Sequence, residues 1–445
     1  MRITLSTDNL ILGAGLSGLS FTYFLRNQNQ AKNTSQNSDY LIIEKESEPG
    51  GYCRTIKNPD YVWDFAGHFY HFKHDKYKAI FKSIVESDQI VQQTKNTKIF
   101  YKNQLVDYPF QTNIHQLPKE EFIDCLYDLF TKDSDADYHD FLEMLYVKFG
   151  KSITEKFLRP YNEKLYATDL KNLDCDAMGR FFPYADLDAI VRNMKEQSTK
   201  TYNDTFLYLK KGTGYFIDKL YQKIDHSKVK LKTIVAKIDT KNHLVTLSDG
   251  TIVKYQNLIN TIPFNQFLKL LDDSLGDGLA IINPTELVNQ LSYNQVLVFN
   301  LGFNAPSPNF TKEHWIYFPD KALNFYRIGF YNNILSQPNL STYVEIGFSK
   351  DAKIVPELEL QKVLDGMKKV GIIDDSMNLV DKNTLIMDPA YVHISTKKDQ
   401  AVKNFQTNLE AQNIYNLGRY GKWTYNSMED CMELADELAS NLSHK

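Results

Sequence analysis

Three glycines near the start of the chain, Gly13, Gly15 and Gly18, stand in the pattern Gly-x-Gly-x-x-Gly. Residues 9–12 before them read as a short buried strand, and residues 16–27 after them as a helix. In that setting the first glycine permits a tight turn. The second lets the main chain approach a pyrophosphate, and the third lets helix and strand pack closely. The helix N-terminus then faces negative phosphates. Alone, such a triplet is a weak signal; its surroundings strengthen it. Residues 40–44 read as the next strand, ending at Glu44, where a carboxylate can hydrogen-bond an adenosine ribose. Gly50 and Gly51 follow, with Arg54 just after them. A second glycine pair there suits a backbone passing close to a dinucleotide, although a surface turn would look the same. Only one such triplet occurs, so a separate Rossmann site for NADPH is not indicated.

A second glycine-rich turn lies near the other end, in residues 416–425 (NLGRYGKWTY), with Gly418 and Arg419. A helix start follows at about residues 426–429. Such a turn can bring main-chain N–H groups to the electron-rich edge of a flavin.

The elements that must position these residues fit a chain of 445 residues. At roughly 100–200 residues per domain, two or three domains are expected. A net charge of −4 and a pI near 6.2 give no sign of nucleic-acid or anionic-membrane binding. Cys53, Cys125, Cys175 and Cys431 lie far apart, which argues against zinc, a disulfide framework or a redox dithiol. No metal site is expected, and a reducing, cytoplasmic setting fits. Residues 10–25 could pass for a signal peptide, but they hold the glycine triplet and lack a cleavage site. No run reaches the ~20 apolar residues of a membrane span.

Residues 28–39 are polar and read as a surface loop. Residues 99–108 read as a hairpin turning at Asn103. From 119 to about 200 the pattern is helical, with apolar spacing such as Phe122, Cys125, Leu126 and Leu129. Strands are expected at 229–238, 243–247, 251–255, 258–263, 295–303, 314–318, 324–330 and 342–349. Helices are expected at 357–370 and 428–442.

At this point the sequence resembles the FAD-dependent UDP-galactopyranose mutases, especially the eukaryotic type. The resemblance runs through nearly the whole chain. Its flavin motifs are shared with amine oxidases and protoporphyrinogen oxidases. More specific are AGHFYHF (66–72), YPFQTNIHQLPKEE (108–121), FLRPYNEKLYA (157–167), AMGRF (177–181), NDTFLY (203–208), HWIYFP (314–319) and NFYR (324–327).

The resemblance implies an α/β fold: a Rossmann-like FAD-binding domain with an inserted helical domain and a mixed or antiparallel, six-stranded β-sheet domain. The boundaries it implies are 1–92, 205–268 and 402–445 for FAD binding, 112–204 for the helices, and 93–111 with 285–401 for the sheet. It implies an isomerase in which N5 of reduced FAD attacks the anomeric carbon of a UDP-sugar, displaces UDP, and allows the sugar to reclose as a furanose. FAD would be held by Gly13, Gly15, Gly18, Glu44, Gly50, Gly51, Arg54, Gly67, His68, Val235, Gly418 and Arg419. Arg180 and Arg327 match the two diphosphate arginines, a residue type that keeps its charge and offers paired donors. Tyr317, Tyr391 and Tyr425 match phenols on the diphosphate. Tyr108 matches a further substrate position. Phe110, Gln111, Asn162 and Tyr166 match uracil contacts, and Asn203 and Trp315 match residues near the sugar. His68 matches a histidine beside the flavin whose main chain contacts N5. The partners implied are the UDP-sugar and an electron donor such as NAD(P)H or a reductase, and the implied destination of the sugar is a cell-surface glycan.

Departures bear on the substrate. Ala66 replaces a family glycine, Tyr166 stands for a tryptophan, and a further diphosphate tyrosine has no clean match, with Tyr331 near and Ile334 in register. The C-terminal loop is shorter than in the eukaryotic type. Two alternatives remain open: the same chemistry on another sugar such as UDP-N-acetylgalactosamine, and a flavin oxidase or desaturase. The second would need an uncharged or aromatic-lined pocket, whereas this one is expected to gather arginines and phenols.

Overall fold

The structure is a computed structural model, and it describes residues 4–32, 39–179, 182–196, 204–271 and 283–443. The chain opens with strand Leu5–Leu12 (β1), helix Leu16–Lys32 (α1) and strand Tyr40–Ile43 (β2). The last four residues of β1 and all four of β2 are buried. Strands covered on both faces need such unbroken apolar runs. β1 runs parallel to β2 on one side and to Ile252–Asn260 on the other. The long Ile252–Asn260 strand pairs with Leu244–Leu247 through its first half and Ile414–Asn416 through its second. Val235–Asp239 and Val229–Lys230 complete a seven-stranded sheet.

The opening helix is longer than its sequence suggests. Residues 28–32, expected in a loop, continue the helix to Lys32. Their polarity hid this, but Gln, Ala and Lys are good helix formers. Gln28 donates to Asp436 Oδ1 (3.1 Å) and Ser440 Oγ (2.8 Å) of the C-terminal helix Met428–Leu442, which fixes the extension from outside. Phe21 and Leu25 are buried in one cluster with Ala435 and Ala439 of that helix.

A second sheet has seven strands where the resemblance implies six. Their order is Leu379–Met387, Asn294–Phe303, Ser341–Ser349, Arg327–Phe330, Trp315–Tyr317, Thr97–Tyr101 and Gln104–Asp107. All neighbours are antiparallel except Trp315–Tyr317 with Thr97–Tyr101. The expected hairpin is present, and its turn residues Lys102 and Asn103 both have positive φ.

The helical part includes Lys119–Thr131, Phe141–Ile153, Arg159–Tyr166 and Leu187–Glu196. Phe141, Leu145, Phe149 and Ile153, four residues apart, all point into one core. Buried polar contacts tie this part to the second sheet. Asn294 donates to Leu165 O (2.6 Å) and accepts from the Tyr391 N–H (2.8 Å). The His393 ring joins Tyr166 O (2.9 Å) to the Ser292 hydroxyl (2.8 Å).

Candidate active site

The two sheets face each other across a cavity of about 890 Å³. One wall comes from the opening β–α–β unit. Gly13 takes φ +101°, and a Cβ there would lie 2.5 Å from Thr261 Oγ1. A Cβ on Gly18 would lie 2.2 Å from Gly13 O, so this glycine sets how closely α1 meets β1. Gly15 is different: a Cβ there would meet no protein atom within 4 Å, because Gly15 faces the cavity. Gly50 (φ +117°) and Gly51 (φ +55°) run alongside it, with the Gly50 N–H donating to Ala14 O at 2.8 Å. A bare main-chain cradle of this kind fits a pyrophosphate.

Glu44 stands at the end of β2, lining the cavity. Its carboxylate accepts the Ala14 N–H (2.8 Å) and the Glu46 N–H (2.9 Å), which aims it while leaving lone pairs for a ribose. Arg54 Nε donates to Gly51 O (3.0 Å), and its guanidinium lies 5.0 Å from the Phe65 ring centre. Val235 also lines this wall. Gly418 does not. At φ +76° its Cβ would sit 2.0 Å from Ser17 Oγ, so it lets the C-terminal turn pack on α1.

The loop carrying Gly67 and His68 forms the cavity floor. Ala66 has φ +64°, which explains why glycine suits that position in the family it resembles. A Cβ on Gly67 would lie 2.4 Å from Tyr343 Oη. The His68 carbonyl accepts from Thr213 Oγ1 (2.6 Å). Burial, then the positive charges of Arg419 and Arg327, push its pKa down to about 4 against the raising effect of the Phe65 main chain. The ring is therefore neutral at pH 7.

The opposite wall is cationic and phenolic. Tyr108, Trp315, Tyr317, Arg327, Tyr391 and Tyr425 all line it, as expected. Register sets the key pair: Arg327 lies across from Glu345 on the neighbouring strand. Arg327 Nε and Nη2 both donate to the Glu345 carboxylate, the second at 2.7 Å. Glu345 is 1% exposed. The Tyr317 hydroxyl also lies within hydrogen-bond reach of the Arg327 guanidinium. Trp315 Nε1 donates to Tyr317 Oη (3.0 Å). Tyr391 and Tyr425 stack at 5.9 Å, and Arg419 lies 4.3 Å from the Tyr425 ring centre. Arg419 has no ion-pair partner among the described residues, and its Nε is buried without a hydrogen bond. Burial raises the Tyr317 and Tyr391 phenols, so both stay protonated and can donate.

Four expected contacts stand off this wall. Phe110 stacks on Phe157 (5.1 Å) in the helical core, and Tyr166 is buried edge-on to Tyr391 (6.0 Å). Gln111 donates to Pro183 O, and Asn162 to Leu158 O of its own helix (2.6 Å). Arg180 and Asn203 lie outside the described residues. Sequence reasoning missed Glu345, Tyr326, Lys95 and His71, all of which line the cavity. The single acid inside the apolar run TYVEIGF was the one available signal for Glu345.

Comparison with known proteins agrees with this geometry. Residues 11–86 match the NAD(P)-binding Rossmann-like domain family. Coproporphyrinogen III oxidase of Staphylococcus aureus is 25% identical over 294 residues, 58% of this chain and 61% of that protein's length. An Exiguobacterium sp. 255-15 structure with a provisional protoporphyrinogen oxidase assignment matches with a TM-score of 0.75 at 15% identity, over 100% of each chain. A reduced UDP-galactopyranose mutase structure matches with a TM-score of 0.90 at 22% identity, over 99% of this chain and 94% of that one. The chain therefore has a Rossmann-like dinucleotide-binding domain within the three-dimensional fold of a UDP-galactopyranose mutase.

Proposed function

We propose that the protein binds FAD and interconverts the pyranose and furanose forms of a UDP-sugar, most simply UDP-galactose. The observation that carries this reading is the facing of two unlike walls: a glycine cradle for a dinucleotide, and an arginine–phenol wall suited to a second diphosphate. When bound, reduced FAD supplies the nucleophile that displaces UDP from the anomeric carbon.

The chain's own groups do the rest. As UDP departs, negative charge grows on its diphosphate. Arg327, oriented by Glu345, offers its guanidinium to that charge, and the Tyr317, Tyr391 and Tyr425 hydroxyls offer neutral donors. Preorganised donors of this kind stabilise a leaving anion without reorganising at the moment of reaction. Arg419 contributes positive charge that no carboxylate of the described residues pairs. His68 is neutral and adds no charge to the floor. Phe69 and Trp315 stack at 5.2 Å and 9°, closing part of the cavity to water. An electron donor such as NAD(P)H or a reductase keeps the flavin reduced.

Arg327→Ala tests this directly. FAD stays bound while turnover falls by about 10²-fold or more, the loss typical of a removed transition-state donor. Full turnover in that variant would remove the diphosphate role. The coproporphyrinogen oxidase relative favours one competing reading, an oxidase. Oxygen consumption with a porphyrinogen, unaffected by Arg327→Ala, would support it.

A further inference from the structure

The floor loop that carries His68 is held in an unfavourable conformation. Ala66 has φ +64° and is not a glycine. A residue in that region keeps its conformation only where its surroundings impose it. On one side Gly67 packs against the Tyr343 phenol. On the other, Thr213 Oγ1 donates to the His68 carbonyl at 2.6 Å. Thr213 is 1% exposed and stands outside the cavity wall, so it acts on the cavity through that loop.

A threonine in this place ordinarily does something else. Thr213 is the N-cap of helix Gly214–Tyr221, where a side-chain oxygen usually accepts a main-chain N–H of its own helix. Its side chain makes no such bond. The hydroxyl goes to His68 instead, and the rest of the residue is clamped. The Thr213 N–H donates to Asp64 Oδ2 (3.1 Å), and the Thr213 carbonyl accepts from Tyr70 Oη (3.1 Å). Asp64 is fully buried and accepts in turn from Thr55 Oγ1 and Tyr208 Oη (2.7 Å for the second). Gly212 and Gly214 flank Thr213, and a Cβ on either would collide with Thr55. The main chain of Thr213 is thus fixed from below, and its one rotatable donor is given to the cavity floor.

We propose that Thr213 is a positioning residue: its hydroxyl draws the His68 carbonyl away from the cavity, and so sets which main-chain groups of the 66–68 loop face the bound flavin. This rests on the FAD reading of the same cavity. Without that bond the carbonyl is free to turn its partial negative charge inward, where it opposes the electron-rich edge of the flavin.

The test compares Thr213→Val, which keeps the shape and loses the hydroxyl, with Thr213→Ser, which keeps the hydroxyl. Both are purified with FAD. In Thr213→Val the visible flavin bands shift and the flavin reduction potential becomes more negative. Turnover of UDP-galactopyranose by the dithionite-reduced variant falls about tenfold, the scale of one lost hydrogen bond. KM stays within about twofold, because the effect is on the flavin side and not on substrate binding. Thr213→Ser restores the wild-type bands, potential and turnover. A Thr213→Val protein that melts lower but keeps the wild-type flavin bands and potential would overturn the proposal, since the hydroxyl would then be structural only. Should Thr213→Val fail to fold, Thr213→Ala carries the same comparison; failure of both to fold would also make the hydroxyl structural and overturn it. A wild-type chain that takes up no FAD would instead remove the FAD reading, and the proposal with it.

Discussion

Glu345 tests the electrostatics of the cavity with little change in its shape. Glutamine keeps the volume but removes the charge that balances Arg327. Breaking a buried pair from one side costs about 3–5 kcal/mol, because the remaining charge is uncompensated. Glu345→Gln is therefore expected to lower urea stability by roughly 3 kcal/mol and UDP-sugar turnover at least severalfold, with FAD content unchanged. A variant matching the wild type in both measurements contradicts the positioning role. His68 gives a pH prediction. Its folded pKa, about 4, lies below the ordinary value of 6.5. The unfolded chain therefore takes up this proton first as pH falls. The His68 contribution is complete above pH 6.5 and is lost between there and about pH 4. Over that window wild-type stability should fall more steeply than that of His68→Gln, by at most about 1.4 kcal/mol per pH unit. Parallel slopes in urea titrations would contradict a neutral, enclosed His68. Arg327 was legible from its motif. Glu345 was not, because its partner lies 18 residues away and only strand register brings them together.

The opening β–α–β unit was the most legible element, since its turn, helix and acidic strand end are all local. Its two inner glycines should behave differently when replaced. Gly15→Ala adds a methyl to open cavity space, so the apoprotein keeps its melting temperature while FAD affinity drops at least tenfold. Gly18→Ala drives a Cβ against Gly13 O, where it would lie at 2.2 Å, so both stability and FAD are lost. Thermal melts of apoprotein with flavin titrations separate the two cases, and identical behaviour would contradict the cradle. Other elements escaped the sequence for physical reasons. Strand Leu379–Met387 exposes Val380 and Ile386, so its apolar residues do not alternate onto one buried face. The end of α1 was lost because its last turns are polar and fixed by contacts to a helix some 400 residues away.

At the scale of the whole molecule, the cavity depends on how the helical part meets the second sheet. Asn294 holds both Leu165 and Tyr391 through one amide. Asn294→Leu leaves a buried carbonyl and N–H unpaired, at about 1–3 kcal/mol each. The expected result is a matching stability loss and a raised KM for the UDP-sugar with FAD still bound. A large kcat loss with KM unchanged would argue for a different role. Such joints could not be read from sequence, because each depends on how separately legible pieces dock. The same limit applies to Phe110, Gln111, Asn162 and Tyr166, whose motifs are clear but whose side chains lie in the helical core rather than on the cavity wall. The most direct measurement reduces the purified protein with dithionite under anaerobic conditions, adds UDP-galactopyranose, and resolves the products by anion-exchange chromatography. Formation of UDP-galactofuranose by the reduced protein and not by the oxidised protein is the predicted result; no interconversion in either state, with FAD and UDP both bound, would contradict a mutase acting on UDP-galactose.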